Sequence, residues 1–175
     1  MEPTPEPLAR AIEACRAALD ASPWDLPPAA LVRAIEDALD PRARSRLVQL
    51  SAQSVVPMWI HAHPEDERAL SLLDDLDAAE PAHRALRDAL EHEIAVRDPA
   101  YTALRALVLA HDLATGRADL RETTPLPDLC AYAWLDAPPE LVPAARSHEP
   151  PARAEAWFRW WLDEAIPSAL RHRRD

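Results

Sequence analysis

Proline punctuates this chain, and the spacing of that punctuation limits what it can fold into. Thr4-Pro5, Asp40-Pro41, His63-Pro64, Glu80-Pro81, Asp98-Pro99 and Thr124-Pro125 each stand before an amphipathic run. Proline suits the first position of a helix, where its missing N–H would have no intrahelical partner. These prolines therefore read as helix starts. The runs behind them carry helical period: Leu8, Ile12, Cys15 and Leu19, then Leu31, Ile35 and Leu39. Leu47, Leu50, Val55 and Trp59 make a third face, which Pro57 should kink or end. Ala69, Leu72, Leu73 and Leu76 follow, then Leu86, Leu90 and Ile94, then Tyr101, Leu104, Leu107, Val108 and Ala114. Gly116, the only glycine, comes just after the sixth run and predicts a left-handed helix C-cap. Further helices are expected over about 126–136, 138–146 and 151–171.

No segment sustains a period of two. The aromatic share is only 5%, so a sheet would lack its usual residues. The predicted class is all-α, one helical domain over residues 1–175. Helix starts near 28, 41, 64 and 81 give offsets of 36 and 40, near the period of HEAT and armadillo hairpins. Both stacked antiparallel helical hairpins and an irregular helical bundle fit this rhythm. At 49% hydrophobic residues the chain can build a core despite its net charge of −11. The N-terminus has no basic stretch leading into an apolar one, and no run approaches the length of a membrane span, so a cytoplasmic location is expected. Cys15 and Cys130 belong to no ligand-spaced motif and read as reduced core thiols.

Charge is distributed unevenly. Residues 64–98 carry 11 acids and four Arg, a net −7, while the segments on either side carry −2 each. Glu65, Asp66 and Glu67 fall in a predicted first turn, where the helix dipole favours carboxylates. Asp74, Asp75, Asp77 and Glu80 fall late in that predicted helix, where the dipole disfavours them. They are candidates for an acidic face that meets a basic protein, with solubility as the plain alternative. Trp160, in RAEAWFRWWLDEAIPSAL, is a second candidate contact: Trp157 and Trp161 share a helical face and Trp160 points elsewhere.

Chemistry-bearing patterns are thin. His61, His63 and Asp66 could hold a metal and would define a metal-dependent helical enzyme, but they straddle a predicted helix junction without a further spaced ligand. The expectation is no metal, no cofactor and no catalytic residues. One glycine cannot build a phosphate-cradling loop, and the acidic balance disfavours nucleic acid.

Residues 46–76, RLVQLSAQSVVPMWIHAHPEDERALSLLDDL, resemble the helical immunity proteins of bacterial polymorphic toxin systems. In that family a helix with a Leu-Pro or Val-Pro step leads into an aromatic, and a Pro-x-Asp-x-Arg turn opens the next helix. The matching residues are Val56, Pro57, Trp59, Pro64, Asp66 and Arg68. The resemblance implies neutralisation of a toxin domain by stoichiometric binding, without catalysis. A helical-repeat adaptor for an endogenous protein is the other binding-class reading.

Overall fold

A computed structural model describes residues 5–22, 25–67, 70, 71, 73, 88, 92, 100–118, 124–141 and 150–171. Among these the chain is all-α, with no strand. Helix α1 spans Glu6–Ala21, and its buried residues are Leu8, Ile12, Cys15 and Leu19, the quartet that the period predicts. Helix α2, Ala29–Ala38, packs against α1 and buries Val32, Ile35 and Glu36, with Leu39 just beyond its end. The expected stripe through Leu31 is thus turned by one residue. Leu31 and Val32 both align with Ile35 and Leu39 at helical spacing, and packing on α1 selects Val32. Glu36, one turn after Val32, is carried inward with it.

Helix α3, Pro41–Gln53, begins as the sequence predicts: the Asp40 side chain accepts from Arg42 N and Ala43 N, both at 3.0 Å. The run that Pro57 is expected to kink or end is broken just before it, at Ser54 and Val55, and α4 spans Val56–Ala62. Pro57, in the first turn of α4, has no N–H for the Gln53 carbonyl, so the ladder stops there. Two other predicted starts shift by one residue, and the helix expected near 28 begins the same way. Pro5, Pro28 and Pro125 occupy N-cap positions with φ −52, not the first helical position. Pro64 lies in a turn.

Helix α5, Tyr101–Ala114, contacts α3, α4 and α6 and buries residues around most of its girth: Ala103, Leu104, Ala106, Leu107, Val108, Ala110 and His111. Beyond it Gly116 has φ 70. Gly116 N bonds Leu113 O at 3.3 Å and Arg117 N bonds Asp112 O at 2.7 Å, the paired bonds of a Schellman C-cap. Helix α6, Leu126–Leu135, packs on α5 and on α7, Pro150–Trp160. Of the short helix expected over 138–146, the described part is a 3-10 turn at Pro139–Leu141.

The last rod changes pitch within its length. After α7, Trp161–Ala165 form a π-helical turn, and α8 follows over Ile166–Arg171. The Ile166 N–H bonds Trp161 O, five residues back. Pro167 cannot donate to the Asp163 carbonyl, and its ring would crowd that carbonyl in a regular helix; the wider turn relieves this. The rod carries the aromatic core. Trp157 and Trp161 stack with centroids 6.3 Å apart, and Phe158 sits edge-on to both at 5.3 and 6.0 Å. All three are buried.

Candidate functional site

Asp74, Asp75, Asp77 and Glu80 lie outside the described residues. Trp160 is half-buried, its ring tilted against Trp157 at 5.8 Å. His61, His63 and Asp66 do not converge. His61 is exposed at the end of α4. His63 ends that helix and lays its ring on Trp59 at 4.2 Å. The Asp66 carbonyl accepts the Trp59 indole N–H at 3.1 Å. The segment is a turn folded back on a buried tryptophan. Among the described residues no three His, Cys, Asp or Glu side chains form a metal-sized group.

Two large apolar side chains are exposed among the described residues, Ile60 at 39% and Tyr132 at 45%. They stand on α4 and α6, elements that also share a shallow depression. Met58, His61, Ala62, Thr102, Ala103, Ala133, Asp136, Ala137 and Pro138 line it. Four of these nine residues are alanines. Neither Ile60 nor Tyr132 is among the lining residues; each stands next in sequence to one that is, Ile60 to His61 and Tyr132 to Ala133. Sequence periodicity places neither outside: each follows a buried residue, and exposure is set by where its helix emerges from the core.

A second feature is interior. Glu36 of α2 and Asp128 of α6 are 5% and 8% exposed. Burial lifts the Glu36 carboxyl to about 7; Arg44 opposes this, and Asp128 and Asp37 add to it. Burial likewise lifts Asp128 to about 6, with Arg33 opposing. Glu36 Oε2 and Asp128 Oδ1 have no hydrogen-bond partner among the described residues. Both thiols feel the same region: burial and then Asp128 raise Cys15 to about 11, and the same two causes raise Cys130. Neither cysteine is a poised nucleophile, since a reactive thiol needs its pKa lowered. Cys130 instead donates to the Ser51 carbonyl at 3.4 Å.

Sequence reasoning missed this pair. Glu36 sits between Ile35 and Asp37 and Asp128 between two leucine-containing turns, and each reads as an ordinary outward acid. The available signal was the α2 stripe beginning at Val32, which carries Glu36 with it. No family model, curated protein or solved structure matches the chain.

Proposed function

We propose that this chain is a protein-binding helical domain that neutralises a toxin domain by stoichiometric binding, as an immunity protein does. The observation that carries the reading is the exposure of Ile60 on α4 and Tyr132 on α6, two helices that share one shallow depression. Exposed tyrosine is a common binding anchor, and these two are the large apolar side chains exposed among the described residues. The partner's chemistry is basic. A net charge of −11, with −7 of it in residues 64–98, favours encounter with a cationic surface and repels nucleic acid. The resemblance of residues 46–76 to helical immunity proteins points the same way, and that segment contains Ile60. The sequential pairs α1–α2 and α5–α6 pack on each other; we read them as hairpins of a HEAT-like stack.

The test uses a toxin domain, sought first in the gene directly beside this one. The two chains, co-expressed, should form a 1:1 complex by size-exclusion chromatography with light scattering, and toxin activity should be lost. Ile60→Asp with Tyr132→Asp should weaken that complex at least about tenfold, the loss expected of a truncated hot spot, with the helical circular dichroism unchanged. A wild-type chain that leaves such a toxin active and unbound overturns the function. A double variant that binds like wild type overturns the surface alone.

A further inference from the structure

The strongest unexplained feature is the pair of buried carboxyl groups, because each is deprived of stabilising partners by its own helix. Asp128 stands in the first turn of α6, where a carboxylate normally takes backbone N–H donors. Here the N-cap is Pro125 and the second helical residue is Pro127, so two of those donors do not exist. Glu36 stands in the last turn of α2, at the negative end of the helix dipole. The nearby cations do not restore the balance. Arg44 of α3 donates to the carbonyls of Glu36 and Leu39 at 2.9 and 3.3 Å, closing the end of α2. Arg33 of α2 lies within electrostatic reach of both acids.

We propose that Glu36 and Asp128 hold their protons in the folded chain at mildly acid pH, where exposed carboxyls have lost theirs, and form a pH-sensitive joint where α1, α2, α3 and α6 meet. The groups facing it are Cys15 from α1, Arg33 and Asp37 from α2, Arg44 from α3 and Cys130 from α6. Two protonated carboxyls sit in this junction at less cost than two ions. Two carboxylates repel each other there and demand water. A narrow opening lined by Glu36, Arg44, Leu47, Ser51, Pro127 and Trp161 is the route by which water can reach Glu36.

The direction of the linkage follows. Both folded values stand above the ordinary carboxyl range, so the folded chain holds more protons than the unfolded chain between about pH 4 and about pH 7. The contribution is therefore fully present in acid and is lost as pH rises through that window. Near pH 5 the pair should account for about one to two extra bound protons.

Urea unfolding of the full chain at pH 4 to 9 tests this for wild type, Glu36→Gln, Asp128→Asn and the double variant. Wild type should lose midpoint as pH rises. Each single variant should flatten that slope and exceed wild type at about pH 8, and the double variant should be flattest. Variants that keep the wild-type slope overturn the proposal. If a variant fails to fold, carboxyl-carbon NMR titration of wild type decides instead. Midpoints for Glu36 and Asp128 above about 5.5 support retained protons, and two midpoints in the ordinary range near 4 overturn them.

Discussion

Ser51 shows how much one small polar side chain fixes in this core. It is 1% exposed in α3. Its hydroxyl accepts the Trp161 indole N–H at 3.2 Å, while its carbonyl accepts from Cys130 Sγ and, at 2.6 Å, from the Ser54 hydroxyl. Ser54 in turn accepts the Trp157 indole N–H at 2.9 Å. Two buried tryptophans are thus aimed by two serines one turn apart. Ser51→Ala removes the acceptor and leaves a buried indole N–H unpaired. It should lower the unfolding free energy by about 1–3 kcal/mol, measured by denaturant titration. Trp161→Phe made in the Ser51→Ala background should cost less than in wild type, because the indole donor is already orphaned. The sequence made the aromatic face of the last rod legible, since Trp157 and Trp161 recur at helical spacing. It did not reveal the serines: a lone Ser between Leu50 and Ala52 looks like a spacer, and only tertiary packing gives it a partner. Glu36 was hidden for the same reason. A charged residue reads as solvent-facing until the stripe beside it is known to turn inward.

At the scale of elements, punctuation was the legible part. Asp40-Pro41 is a helix start on both counts, because Asp40 supplies a cap and Pro41 needs no donor. At Pro5, Pro28 and Pro125 the extended backbone of the N-cap tolerates proline equally, so proline marks the start to within a residue and no better. Pro167 was not legible at all. In sequence it interrupts a helix, and whether the chain breaks or widens depends on how firmly the flanking residues are held. Here Trp161, Leu162 and Ile166 are all buried, so the rod continues through a π turn. Gly116 gives the sharpest test at this scale. Its φ of 70 is left-handed, yet beyond its own chain neighbours no atom of the described residues lies within 4 Å of where a Cβ would sit. The cost of Gly116→Ala is therefore backbone strain without steric clash. It should destabilise by about 1 kcal/mol, read from the unfolding midpoint. Gly116→Asn should cost less, because asparagine tolerates that conformation. Equal losses for the two would point to a contact rather than to φ.

For the molecule as a whole, the surface charge is the feature with functional reach. Some of it is structural: Arg16 with Asp163 at 2.6 Å and Arg159 with Asp20 at 2.8 Å tie the first helix to the last rod. These groups are exposed, and such pairs contribute little to stability in water. The excess in residues 64–98 has a different scale, since a net −7 within one-fifth of the chain projects a field beyond any single contact. If that field serves recognition of a basic partner, its effect lies in the rate of encounter, and it fades as salt shortens the Debye length from about 10 Å at 0.1 M to about 3 Å at 1 M. Replacing Asp74, Asp75 and Asp77 with Ser should slow association with the toxin domain and flatten its dependence on ionic strength. Dissociation should change little, as expected for charges at a rim. Stopped-flow association at several salt concentrations reads both quantities. Ile60 and Tyr132 should show the opposite pattern, with dissociation accelerated and the salt slope kept, because apolar anchors act after contact is made. An unchanged on-rate and salt slope in the triple variant would leave the acids as solvated surface and place the whole of recognition on the face between α4 and α6.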